Sequence, residues 1–206
     1  MISVQDFLRN PENIELGDIN SSGKSRIANL TSNGKPLKLI LCKEPILRTP
    51  YSVSSYDGSS DRCSLDLCMT EELGRLADVI DVAVLGFVKK NAGRYFKSPP
   101  ADVSTTFRPV RRKAAKEEYQ DTFRTKITLS PTKCSAKAWG PDKQPLTAEQ
   151  LCAMDWPACR LALVVQVSGC YFQGNSWGPT INVCMLQVAP EDRTCPFGGV
   201  DLEPFS

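Results

Sequence analysis

Apolar and polar residues alternate through two long runs near the end of the chain. In the first, Leu161, Leu163, Val165 and Val167 alternate with Ala162, Val164, Gln166 and Ser168; in the second, Ile181, Val183 and Met185 alternate with Asn182, Cys184 and Leu186. A period of two predicts strands, and the two runs read as one hairpin spanning residues 160–188. Both faces of both runs are largely apolar, so both are expected to be covered. Residues 170–180 hold Gly174, Gly178 and Pro179 together with Tyr171, Phe172 and Trp177. This composition predicts a long loop, whose rings either close the end of a barrel or form a stacking platform for a flat ligand such as a base.

The same pattern extends upstream. Residues 36–42 form a short apolar run, residues 62–69 alternate clearly, and the two are expected in one sheet. Thr70 then caps a helix: Glu71 and Glu72 fall in its first turn, Leu73, Leu76, Ile80, Ala83, Val84 and Phe87 recur at helical spacing, and Lys89 and Lys90 close it. Such an amphipathic helix is expected to seal one opening of a barrel, because its stripe must be buried against something. Phe123, Thr125, Ile127 and Leu129 alternate with Thr122, Arg124, Lys126 and Thr128, which predicts a strand with one apolar and one cationic face. Residues 130–160 hold Pro131, Pro141, Pro145 and Pro157 and read as connection, with a short helix from 147 to 154. Residues 1–34 are polar and read as an irregular arm leading into a first strand. The fold expected is mainly β: an OB-type β-barrel over 35–190 with the helix inserted between strands, preceded by the arm of 1–34 and followed by a flexible, weakly acidic tail of 191–206.

Charge changes this picture because it is unevenly placed. The net charge is +2, yet residues 86–140 hold 13 Lys and Arg against 4 Asp and Glu, leaving 12 against 19 elsewhere. A basic middle on an acidic remainder is either the footprint of a polyanion-binding face or a solvated charged surface. Aromatic residues are interleaved with the cations: Arg94, Tyr95, Phe107, Arg108, Arg111, Arg112, Lys113, Lys116, Tyr119, Arg124 and Lys126. Single-stranded nucleic acid requires both kinds, cations for phosphates and rings for bases. Tyr171 and Trp177 extend the list of stacking candidates. In the tail, Asp201 and Glu203 lead to Phe205, the pattern of a short peptide for a protein partner, or of a frayed terminus.

Catalysis finds little support. Residues 174–178 match the G-x-S-x-G pattern, but Pro179 and a strand follow, and the chain contains no histidine to serve as base. Gly23-Lys24-Ser25 lies too far from Gly17 for a phosphate-binding loop and reads as a turn. The nine cysteines lack C-x-x-C spacing and a mixed-ligand histidine, so no metal or cofactor is expected; without a visible secretion signal they read as small apolar residues in a reducing, intracellular compartment. No apolar run approaches the roughly 20 residues of a membrane helix.

Taken together, residues 36–40 followed by Arg48-Thr49-Pro50-Tyr51, the alternating strand ending at Met69, the long helix, the basic middle and the closing hairpin with Tyr171 and Trp177-Gly178 resemble the single-stranded DNA-binding proteins of large eukaryotic DNA viruses. That family is related to phage-type proteins built on an OB-fold. The resemblance implies a non-catalytic protein that coats single-stranded DNA during replication, recombination or repair, in the nucleus or at a viral replication site, with a tail that contacts replication proteins. This tail departs from the pattern by ending in Phe205-Ser206 and by its weak acidity. A homo-oligomer is compatible with the sequence. Two other functions remain open: a β-rich assembly subunit whose basic face meets an acidic protein, and an RNA-binding OB-fold.

Overall fold

A computed structural model describes residues 1–11, 14–22, 25–55, 61–174 and 176–190; the tail residues Asp201, Glu203 and Phe205 lie outside the described residues. In chain order the elements are β1 (Ile2–Ser3), α1 (Val4–Arg9), β2 (Ile14–Ser22), β3 (Ser25–Ser32), β4 (Lys35–Ile40), β5 (Ser54–Ser55), β6 (Arg62–Cys68), α2 (Glu71–Lys90), α3 (Ala92–Tyr95), β7 (Arg111–Arg112), β8 (Thr122–Ser130), β9 (Lys133–Cys134), β10 (Lys137–Trp139), α4 (Ala148–Cys152), β11 (Cys159–Gln173) and β12 (Ser176–Pro190). The protein is mainly β, with α2 inserted between strands as its sequence predicts.

The sheet runs β1-β4-β3-β11-β12-β8-β6-β5, and β2 extends it by pairing with β3. Among the described residues it does not close: β1 and β5 stand at opposite ends of the path and do not pair. The mainly β fold with its inserted helix stands, and the barrel is left open among the described residues. Each terminal strand has only two residues, too few backbone groups to zip an edge shut, and helix α2 fills the inner side instead, touching β2, β7, β8 and β12. Its buried stripe is Leu73, Leu76, Ala77, Ile80, Val84 and Val88, and the Thr70 side chain accepts the Leu73 N–H as the expected cap.

The arm expected at 1–34 is a correction too. Strands β2 and β3 pair antiparallel and are continuous with the sheet through β3–β4 and β3–β11 pairing, and they bury Leu16, Ala28 and Leu30. Asn33 and Gly34, at φ 49° and 71°, make the tight turn into β4, the pairing of two left-handed residues that a two-residue hairpin favours.

The closing hairpin is the spine of the fold, yet its long loop is absent. Strands β11 and β12 stay paired out to Gln173 and Ser176, and Gly174, just past the end of β11, stands at φ 54°. Burial of rings drives this extension: Phe172 and Trp177 are cross-strand partners, both buried, with ring planes 4° from parallel and centroids 5.7 Å apart. The alternation also slips once. Val164 pairs with Met185 and Val165 with Val183, so Cys184 is a bulge, and beyond it Leu186 and Val188 face the core while Met185 turns outward. A second irregularity lies between Val167 and Gly169, where a Cβ on Gly169 would sit 2.1 Å from the Ala28 carbonyl oxygen. Only glycine permits β3 to approach β11 so closely.

Candidate nucleic-acid interface

Strand β8 sets the faces. Phe123, Thr125, Ile127 and Leu129 are buried toward the core, and Arg124, Lys126 and Thr128 lie half-buried on the opposite side, as the period of two dictates. Because directly paired residues share a face, the registers trace a row across six strands. From β4 to β5 it reads Lys38, Gln166, Asn182, Lys126, Ser64 and Ser54. Every member is polar. The expectation that both hairpin faces are covered is therefore corrected: the outer face is a polar, partly open surface in its middle.

Cations gather at one end of this row. Arg124 pairs across to Asp66, and Arg62 across to Thr128, so Arg62, Arg124 and Lys126 share the outer side of β6 and β8. Burial first, and then the positive charges of Arg124 and Arg62, press the Lys126 ammonium below its ordinary range. The Lys126 Nζ also stands 4.9 Å from the centroid of the half-buried Tyr171 ring, a cation–π contact. Beside Tyr171, its cross-strand neighbour Ile27 is 38% exposed, adding an apolar patch to the same face.

The other cations expected to bind are mostly engaged by carboxylates. Arg94 pairs with Asp18 at 2.6 Å, Arg111 with Asp78, Arg112 with Asp66 and Lys113 with Asp121 at 3.3 Å each, and Lys116 with Glu118 at 3.4 Å. Arg111 and Arg112 also point to opposite sides of β7. Arg111 packs on α2, where its Nη2 atom would lie 2.9 Å from a Cβ on Gly74, and Arg112 joins Asp66 on the outer side. The run Arg111-Arg112-Lys113 therefore presents no joint patch. Arg108 has no carboxylate partner among the described residues; its main-chain N–H donates to the Trp177 carbonyl at 2.8 Å, which places it beside the hairpin tip. Gly178 is required there, since a Cβ would meet the Arg108 carbonyl oxygen at 2.2 Å.

Burial corrects two of the stacking candidates. Tyr95 and Trp177 are fully buried, and Tyr95, Phe172 and Trp177 form a run of near-parallel rings with 5.3 and 5.7 Å between centroids. The Tyr95 hydroxyl donates to the Leu16 carbonyl at 3.0 Å, and the Trp177 indole N–H donates to the Val103 carbonyl at 2.9 Å. Phe107 leans on Trp177 at 4.7 Å and is half-buried. Tyr95, Phe172 and Trp177 close the core at the tip of the hairpin, which leaves none of their faces to a base. Tyr119 is 56% exposed, with Lys116 5.8 Å from its centroid, but it lines a separate cleft with Arg111, Asp78 and Asp121 at the start of α2. Ser176, in the G-x-S-x-G match, donates to the Gln173 carbonyl at 3.3 Å as a residue of the turn.

Lys38, Arg62, Gln166 and Asn182 are members of the face that the basic middle does not reveal. Their signal is positional: each stands out of phase with the buried residues of its own strand.

No protein-family model matches the chain, and no curated protein matches it. Among solved structures it is similar to the single-stranded DNA-binding protein from bacteriophage Enc34, at 11% identity and a TM-score of 0.46, over 91% of this chain and 96% of that one. The same phage protein in complex with ssDNA gives 12% identity and a TM-score of 0.47, over 89% of this chain and 99% of the other.

Proposed function

We propose that this protein binds single-stranded nucleic acid across the outer face of its sheet, as a non-catalytic coating protein for single-stranded DNA in replication, recombination or repair. The carrying observation is the cluster of Arg62, Arg124 and Lys126 on that face, with Lys126 seated against Tyr171. Clustered like charges repel one another, and a polyanion laid along the face offsets that repulsion. A ring in the same place gives sequence-tolerant stacking. Phosphates meet Arg124, Lys126, Arg62 and Arg108, and Tyr171 takes a base.

Titration with labelled oligonucleotides at low salt tests this function. Single strands should bind, and unlabelled single-stranded DNA should displace them more effectively than duplex or RNA of equal length. Absence of single-strand binding would sink the proposal, and stronger displacement by RNA would move it to an RNA-binding protein.

A further inference from the structure

The centre of the polar row carries no charge. Gln166 and Asn182 are direct cross-strand partners, flanked by Lys38 on β4 and Lys126 on β8. Three strand spacings separate the two lysines, roughly 14 Å at about 4.8 Å per step. Amides contribute nothing to counterion release, so this stretch adds little to phosphate affinity. Their chemistry is that of base edges, where a side-chain amide offers a donor and an acceptor side by side.

Asn182 is also oriented. The Ser168 hydroxyl donates to the Gln166 main-chain carbonyl at 3.3 Å, and its oxygen accepts the Asn182 Nδ2–H at 2.8 Å. One of the two Nδ2–H bonds is thereby held by Ser168, which fixes the amide's orientation and turns Oδ1 to the side away from Ser168, where it can accept. Ser168 sits at the irregularity beside Gly169, so the local break in β11 that brings β3 close also holds this amide in place.

Building on the proposal that single-stranded nucleic acid lies on this face, we infer that Asn182 and Gln166 contact base edges, and that Asn182 favours bases bearing an exocyclic amino group. Cytosine presents its N4 amino donor to Oδ1. Thymine presents the O4 carbonyl at the equivalent position, acceptor against acceptor, and loses the contact. Ser168 is a positioning residue, acting through the orientation of Asn182. The cations fix the backbone and the amides discriminate.

Affinities for oligo(dC) and oligo(dT) of equal length, measured at several salt concentrations, test the inference; two pyrimidines keep stacking comparable. The wild-type protein should prefer oligo(dC) by about five- to tenfold, the lower part of the range for a single good base contact. Asn182→Ala and Gln166→Ala should each bring the ratio toward one while the dependence of log K on log salt keeps its slope. Ser168→Ala should lower the ratio partway, again without changing the slope. Equal wild-type affinities, or a preference that survives Asn182→Ala, would overturn the inference and leave the proposed function standing. Failure of the folded wild-type protein to bind any single strand would overturn both. Should Asn182→Ala unfold, Gln166→Ala and Ser168→Ala carry the same comparison.

Discussion

Lys126 illustrates how one side chain is placed for a partner at some cost to the fold. Its ammonium is partly buried beside two guanidinium groups, so its folded pKa is lowered and the charged form is disfavoured in the free protein. A lowered lysine pKa means that the penalty is fully present below the folded pKa and is lost as pH rises from there through the ordinary lysine value. Lys126→Gln is therefore expected to raise the melting temperature while weakening oligonucleotide binding, two shifts of opposite sign that a purely structural lysine would not give. Tyr171 and Trp177 separate in the same way. Tyr171→Ala should cost about 1–3 kcal/mol of single-strand affinity with little loss of stability, whereas Trp177→Ala should cost roughly 3–5 kcal/mol of stability through its cavity. Denaturant melts and titrations of both variants check the assignment, and an unchanged affinity in Tyr171→Ala would remove it from the face.

Among the elements, the segment that carries Arg108 to Arg112 is held by a half-buried carboxylate. Asp81 of α2 accepts the Val110 N–H with both oxygens, at 3.0 and 3.1 Å. Burial raises its pKa from 3.8 to about 6, outweighing the main-chain donors. Because the folded value is the higher one, the stability linked to this group is fully present below about pH 4 and is lost as pH rises through about 6. A shift of about two units corresponds to roughly 2–3 kcal/mol. Relative to the wild type, Asp81→Asn should lose this component of the pH dependence of stability between pH 4 and 7, as thermal melts across that range will read. Strand β7 itself lends its cations to the fold: Arg111 and Arg112 meet Asp78 and Asp66 from opposite sides. Replacing Arg111, Arg112 and Lys113 together with alanine should therefore lower stability more than it changes the salt slope of binding.

For the whole molecule, the decisive quantity is how many cations a strand meets at once. The outer face offers Lys38, Arg62, Arg124 and Lys126, with Arg108 beside the hairpin tip, and five phosphate contacts imply a slope of log K against log salt of about −3.5 for a single strand. Engagement of the entire basic middle would give a slope near −9 by the same relation. A salt titration distinguishes these, and a slope near −9 would show that the ion pairs of Arg94, Arg111, Arg112, Lys113 and Lys116 open on binding. The open sheet leaves β1 and β5 as short ends, and short edge strands offer little template for pairing with other chains.

Wherever one local period dominated, the sequence by itself determined the element. Helix α2 with its Thr70 cap, strand β8 with a cationic and an apolar face, and the pairing of β11 with β12 all follow from repeats that the backbone geometry imposes. Local signals failed where one residue shifted the phase or where a contact was distant in sequence. The bulge at Cys184 exchanged Met185 for Leu186 and Val188 in the core, and the loop-like composition of 170–180 gave way to ring burial between Phe172 and Trp177. Tertiary structure alone decided which cations were already paired, since Arg94 meets Asp18 across 76 positions and Arg112 meets Asp66 across 46. It also assembled the row from Lys38 to Ser54, whose members come from six strands. The physical reason is the same in each case: a side chain's face is fixed by its own strand, but its neighbours are fixed by the register between strands.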